Sequence, residues 1–368
     1  MTAILPDFGP ARRNAAFRRW LFGDLLSTIG SSMTGFAVVL QIWDLSRSSL
    51  AVGLLGLTFV PTLMVGLLGG SVADAIDRRT LVLVTSVGLM AVSAAFAAQA
   101  YAQFRQLWLL YALAVLQAIF QAACAPARRT FVARLVPQEQ LTPAIALTTL
   151  TGRMTMLFGP ALAGVITGAW GLRTCYAVDT VSFVASLYAT ARLPAMRPPA
   201  AETGAVRSGA QRRSAARSSA ARSSLRATAE SLRFIRHRPL LVAAFLTDLD
   251  AMLLGLPVAL FPALNAAHFG GSPQTLGLLN AAPGVGGLLS AVLSGPTGRV
   301  SRQGRGMLAG TMIWGAAIAC FGLSRSLPLA LVLLAVAGAA DTLTVMYRGS
   351  IVQTVTPDDF RGRVSSVE

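Results

Sequence analysis

An ionisable side chain in the middle of a long apolar run is out of place, and this sequence holds several. Asp24, Arg153, Asp179, Asp248, Asp250 and Asp341 each interrupt a stretch built mostly from Ala, Leu, Val, Gly and Phe. At bilayer depth such a group costs about 2.5 to 3.5 kcal/mol on insertion scales, so one that remains is a candidate for function. A carboxylate cut off from water can exchange a proton near neutral pH, which suits it to carry one while solvent access alternates between two sides. Asp248 and Asp250 point to different faces of a helix, so at most one of them faces a shared cavity. Arg153 reads as a charge partner or as a contact for an anionic ligand. Competing structural uses exist at each position. Asp24 lies close to the end of its run, where capping or snorkelling would account for it. Asp44, Asp179 and Asp248 fit a place near an interface, and Arg348, two turns after Asp341, is a ready partner for it. Gln117 and Gln121, four apart, share one helical face and can hydrogen-bond either a ligand or a neighbouring helix.

The elements that must hold these residues are the apolar runs themselves. Runs of about 17 to 25 residues match the length a helix needs to cross roughly 30 Å of hydrocarbon. They fall near 20–43, 49–72, 80–101, 106–125, 142–168 and 172–192, and then near 240–264, 274–295, 307–323 and 328–347. With 54% hydrophobic and 12% charged residues, a soluble chain of this length would lack the polar surface to cover itself. An all-α membrane protein of about ten crossings is the fold class these runs predict.

The net charge of +16 does not mark a nucleic-acid partner, because the basic residues sit in the short gaps between runs rather than on one patch. All 31 are arginine, which we read as the composition of a GC-rich genome. Alternate gaps are rich in them: Arg78 and Arg79; Arg128, Arg129 and Arg134; the segment 193–239; Arg299, Arg302 and Arg305; Arg361 and Arg363. The opposite gaps carry single arginines, Arg47, Arg105, Arg173 and Arg325. Cytoplasmic loops hold positive charge, so the N-terminus is expected inside, in an inner (plasma) membrane. Segment 193–239 is rich in Ser, Ala and Arg and has too few large apolar residues to bury a core. It reads as a basic cytoplasmic linker between 1–192, a six-helix bundle, and 240–368, a second bundle with four helices present. Its arginines also suit anionic lipid headgroups, although a topology anchor is the simpler use.

Metal and nucleophilic chemistry find no support. Cys124, Cys175 and Cys320 lie in or beside separate runs without paired spacing, and His237 and His268 fall outside the runs. No phosphate-cradling glycine loop or zinc-binding His pair occurs, so neither an enzyme nor a cofactor is expected. The cluster Arg12, Arg13, Arg18 and Arg19 before the first run lacks a small-residue cleavage pattern and is read as the start of an uncleaved first helix.

The chain also repeats itself. Arg128, Val132 and Pro137 recur as Arg348, Val352 and Pro357 at one constant offset, and Gly53-Leu54-Leu55 recurs as Gly277-Leu278-Leu279. Parallel repeats of this kind build one large class of transporters. After the second run stands Gly70, then Asp74, then Asp77, Arg78 and Arg79. This resembles the loop signature of the major facilitator superfamily, with Ala75 in place of a basic residue and Asp77 in place of a Gly. A solvated loop carrying topology arginines is the alternative. Gly159, Pro160 and Gly164 in the fifth run resemble the Gly-Pro signature of that family's proton-coupled exporters. The stretches 125–137 and 341–364, with Phe261-Pro262, resemble enterobactin-exporter-like transporters and transmembrane secretion effectors.

The resemblance covers nearly the whole chain. It implies a major-facilitator fold with about ten of the usual twelve transmembrane helices in two parallel, pseudo-repeated halves. It further implies proton-driven efflux of a small molecule (a drug, a siderophore or another natural product) by a monomer using alternating access. In that family Gly70, Asp74, Asp77, Arg78 and Arg79 would latch helix ends, an arrangement favoured where a carboxylate meets a helix N-terminus or an arginine. Two further helices are expected after Val364, so the sequence is read as a truncated record. The rival readings are a non-transporting membrane sensor and a solute importer of the same fold.

Overall fold

The computed structural model describes residues 8–62, 77–193, 258–293 and 303–355, with a few isolated positions between them. Among the described residues the secondary structure is helical, with no strand. After a short helical turn at Gly9–Arg13, ten helices follow among the described residues. They are α1 (Ala15–Ser46), α2 (Ser49–Thr62, with a 3-10 turn at Leu54–Thr58), α3 (Arg78–Tyr101), α4 (Leu107–Leu135) and α5 (Leu141–Trp170). The remainder are α6 (Leu172–Ala191), α7 (Val258–His268), α8 (Pro273–Leu293), α9 (Gln303–Leu323) and α10 (Leu327–Val355).

Local chemistry sets the ends. Asn14 caps α1 by accepting from the N–H groups of Ala16 and Phe17 at 3.0 and 3.1 Å, while its own amide donates to the Leu135 carbonyl that terminates α4. Arg47 closes α1 in the left-handed region, its N–H on the Trp43 carbonyl at 2.7 Å. Asp77 caps α3, with Oδ1 accepting from Arg79 N at 2.8 Å and Thr80 N at 3.3 Å. Gly171, at φ 85°, makes the break between α5 and α6 that a side chain would resist.

Six of these helices are long and apolar enough to cross a bilayer: α1, α3, α4, α8, α9 and α10. With 30 and 20 residues, α5 and α6 have the length, but threonines and ionisable groups dilute their apolar character. Of the expected run 49–72, α2 accounts for the part up to Thr62, and most of the rest lies outside the described residues.

One expectation needs correction. Arg128, Arg129 and Arg134 were placed in the gap after the fourth run, and the structure puts all three on α4. A helix does not stop where apolar composition does. In α4 the ladder continues until Val136 turns extended, at φ −123° and ψ 148°, as the residue before Pro137 must. The internal repeat becomes visible here. α4 starts at Leu107 and α10 at Leu327, separated by the same offset as Arg128 and Arg348, so the two arginines hold the same place in their helices.

The chain packs into two compact units. In the first, comprising Met1–Pro198, Val258–Val285 and Arg325–Leu331, α1 packs on α6 and α5, and α3 packs on α6 and α4. Aromatic and aliphatic groups seal one end, where Phe17, Trp20, Val82, Phe131 and Leu147 form a buried cluster. Deeper inside, the buried set is polar: Ser27, Thr34, Ser86, Ser93, Gln99 and Asp179. The outside is apolar, with Leu50 at 76% and Val181 at 68% exposed. Polar contacts inside and aliphatic side chains outside are the distribution that lipid, not water, selects. In the second unit, Gly310 of α9 lies against Ala340 and Thr344 of α10, Gly286 of α8 against the backbone of Ala335, and Met307, Ile351 and Tyr347 pack together.

Candidate functional site

Glycine and hydroxyl residues let the helices of the first unit approach closely enough to enclose a cavity of about 470 Å³. α1 contributes Ser27, Thr28, Ser31 and Ser32, one continuous hydroxyl face. Gln121, Cys124, Ala125 and Arg128 come from α4, Leu89 from α3 and Phe183 from α6. Most of the surface is apolar, with hydroxyls, one amide and one guanidinium as orienting groups, the make-up of a small-molecule site.

Arg128 is the one formal charge on that wall, and it is held from two sides. Its Nη1 donates to Asp24 Oδ1 of α1 at 2.6 Å, and its Nε donates to Cys124 Sγ, one turn back on α4, at 3.0 Å. About a fifth of each charged side chain remains accessible. Asp24 also lies in α1 where its carbonyl accepts from Thr28 Oγ1 at 2.8 Å, and Thr28 in turn meets Thr155 of α5 at 3.1 Å. The pair therefore links α1 to α4 beside the cavity, close to the hydroxyls that bridge to α5.

The sequence expectations fare unevenly. Asp24 is an ion-pair partner, a role the sequence did not assign to it because Arg128 was read as a loop arginine. Arg153, read as a charge partner or a contact for an anionic ligand, lies on α5. Of the two glutamines, Gln121 lines the cavity and Gln117 is buried at 8% exposure on the same helix. Asp341 is exposed on α10. Asp248 and Asp250 lie outside the described residues, as do Gly70 and Asp74. Asp77 caps α3, and Arg78 begins that helix. Arg79 sends Nη2 to the Ala191 carbonyl at the end of α6, at 2.6 Å. Asp44 forms an exposed pair with Arg47 at 3.4 Å.

Asp179 sits apart from these, fully buried in α6. Its Oδ2 accepts from Thr34 Oγ1 at 2.7 Å and from Ser93 Oγ at 2.6 Å. A second polar bridge lies along the same helices. Gln41 and Gln99 exchange hydrogen bonds at 3.1 and 2.9 Å, and the Tyr176 hydroxyl donates to Gln41 Oε1 at 2.8 Å.

The Gly-Pro motif of α5 marks close helix contacts. Gly159 faces Ser32, whose side chain would overlap any added Cβ. Gly164 faces Gly277 of α8 so closely that an added Cβ would lie 2.7 Å from the Pro273 carbonyl oxygen and 2.9 Å from the Gly277 Cα. Pro160, inside α5, presents its carbonyl to the same glycine.

Comparison with known proteins follows the same lines. The family model for the Major Facilitator Superfamily matches residues 20–367. The uncharacterized MFS-type transporter YfiS of Bacillus subtilis is 26% identical over 357 residues, covering 94% of this chain and 80% of the relative. The enterobactin exporter EntS of Citrobacter koseri is 26% identical over 362 residues, covering 97% and 81%. Among solved structures, a bacterial homolog of the human lysosomal transporter Spinster, in an inward-facing conformation, aligns with a TM-score of 0.69 at 18% identity over 98% of this chain and 78% of its own. A D-xylose-proton symporter aligns with a TM-score of 0.66 at 15% identity over 96% and 84%. At these identities the structural likeness speaks for the fold.

Proposed function

This chain belongs to the major facilitator superfamily and is a membrane transporter of small molecules, and on that premise we propose that it expels its substrate in exchange for protons. The observation that carries the reading is the Asp24–Arg128 pair beside the hydroxyl-lined cavity, whose wall includes Arg128. While Asp24 is ionised, it and Cys124 pin the guanidinium against the wall and leave the cavity free for substrate. A proton taken up by Asp24 breaks the ion pair and releases a positive charge toward the space a substrate would fill. Proton and substrate then occupy the site by turns, which is the logic of an antiporter. The outward direction is supported by the likeness to enterobactin exporters. A ring-bearing compound with several hydroxyls, such as a catechol siderophore, suits a wall of Ser, Thr and Gln with aliphatic surface between them.

The same reading places the N-terminus in the cytoplasm of an inner (plasma) membrane, with halves 1–192 and 240–368 joined by the basic linker 193–239, in a monomer surrounded by lipid. Everted membrane vesicles, acidified inside by respiration, test it with ethidium and with enterobactin as probes. The expected result is gradient-driven uptake that collapses with a protonophore. Asp24→Asn should abolish the gradient dependence and leave downhill exchange. Uptake indifferent to the gradient would defeat the proton-coupled reading, and uptake by Asp24→Asn equal to that of the original chain would remove the ion pair from it.

A further inference from the structure

Asp179 is not used by the ion-pair mechanism, yet its surroundings are built around it. Three hydroxyls from three helices serve one carboxylate. Thr34 of α1 and Ser93 of α3 donate to Oδ2 at 2.7 and 2.6 Å, and Ser182, on the same helix as Asp179, lies 3.4 Å from Oδ1. Gly30 lets α1 come this near, since a Cβ there would lie 2.5 Å from Asp179 Oδ1 and on top of Ser182 Oγ.

Among the described residues, no cationic side chain bonds this group. On its own helix the nearest titratable side chains are Cys175 and Tyr176, which bond Thr167 and Gln41 instead. On α1 the nearest is Asp24, two turns before Ser31 and engaged with Arg128. On α3 the charged residues Arg78 and Arg79 stand at the far N-terminal end, and Arg79 is bound to Ala191. On α5, Thr167 faces α6, and Arg153 is several turns away. A permanent anion walled off without a cation is costly.

The choice of hydroxyl partners resolves the difficulty. An arginine or a backbone N–H can only donate and would fix the anion, whereas a hydroxyl donates or accepts. When Asp179 is neutral, its O–H can donate to Ser93 or Thr34, and that hydroxyl can turn its own hydrogen to a carbonyl one turn back in its helix. Both protonation states are thus fully hydrogen-bonded, the property expected of a group that is loaded and unloaded. Ser31 supplies the route, because it follows Gly30, which lies against Asp179, and itself lines the cavity.

We propose that Asp179 is a second proton-holding site, charged from the cavity through the Ser31 hydroxyl. In the loading step Ser31 gives its hydrogen to the carboxylate and takes one from a hydronium ion in the cavity, so the carboxylate becomes a carboxyl group and a water remains. The step adds one positive charge to the helix interior and alters the hydrogen bonds that tie α1, α3 and α6 together. This inference rests on the proton-coupled reading above and extends it to a second carrier.

The test uses the full chain reconstituted in liposomes, with protons alone as the probe. Infrared difference spectra between about pH 5 and pH 9 follow carboxyl groups as they gain and lose protons. The proposal expects one carboxyl C=O band that is absent in Asp179→Asn and still present in Asp24→Asn. In Ser31→Ala that band should remain while its exchange with the medium slows roughly tenfold or more. Asn is isosteric and can hydrogen-bond the same hydroxyls, so Asp179→Asn is expected to fold. If it does not, the comparison of Ser31→Ala with the original chain decides on its own. A band unchanged by Asp179→Asn, or exchange unchanged by Ser31→Ala, overturns the proposal. These readouts need no transport, so they separate it from the proton-coupled reading: loss of gradient-driven ethidium uptake in the original chain would sink that reading while leaving the band assignment to stand or fall by itself.

Discussion

Replacing Gly164 with alanine should loosen the contact between α5 and α8. The atoms an added Cβ would meet are the Pro273 carbonyl oxygen at 2.7 Å and the Gly277 Cα at 2.9 Å, both backbone. Neither can swing aside as a side chain could. An ordinary contact begins at 3.4 Å, so the two helices must part by about 0.7 Å at the crossing. Overpacking of this kind costs about 1 to 3 kcal/mol. The close approach itself, with the Pro160 carbonyl 2.7 Å from where a Gly277 Cβ would be, allows Cα–H···O contacts worth about 0.5 to 1 kcal/mol each, and these weaken too. In a transporter that alternates between conformations, a penalty of about 1 to 3 kcal/mol confined to one of them shifts the balance roughly 5- to 150-fold. Spin labels at Val165 of α5 and Leu278 of α8, both exposed, report the spacing by pulsed electron resonance. The expected result is a longer or broader α5–α8 distance in Gly164→Ala, reproduced by Gly277→Ala, with transport slowed. An unchanged distance distribution together with unchanged transport would refute the reasoning, because it would mean the helices do not meet at these glycines.

Removing either member of the Asp24–Arg128 pair should destabilise the protein by about 3 kcal/mol, the lower end for a broken buried pair since a fifth of each side chain reaches solvent. The double replacement Asp24→Asn with Arg128→Gln should recover part of that loss in a thermal-unfolding cycle, and strictly additive losses would show that the two do not interact. Asp77→Ala should cost about 1 kcal/mol by uncapping α3, read as faster hydrogen exchange at the amides of Arg79 and Thr80. Asp44→Ala should change stability by less than about 0.5 kcal/mol, because its pair with Arg47 is exposed on both sides; a larger change in the melting temperature would contradict that view.

Much of the architecture can be read from apolar run length, because a helix that crosses a bilayer must satisfy its own backbone and present lipid with aliphatic side chains. The repeat joining Arg128 to Arg348 was visible as spacing, and α4 and α10 realise it by holding the two arginines at the same distance from their starts. Where α4 ends was not legible in composition. The terminator of α4 is the conformation of Val136 before Pro137, a local steric effect that hydropathy ignores. That error hid the site, since an arginine assigned to a loop was not considered as a partner for Asp24. The hydroxyl cage of Asp179 was hidden for another reason: Thr34 and Ser93 are ordinary residues in a spanning helix, and only tertiary packing brings them to one carboxylate. Asp248, Asp250, Gly70 and Asp74 stay at the level of sequence expectation.

The central claim is that substrate and protons cross in opposite directions through this protein. Liposomes containing the full chain and the trapped pH dye pyranine test it directly, with enterobactin or ethidium, whichever moves in the vesicle assay, added outside at equal pH on both sides. The account predicts that substrate entry drives protons out and the lumen becomes more alkaline, with the response abolished by Asp24→Asn. Substrate entry with a lumen that acidifies, or with no change in lumenal pH, would contradict it.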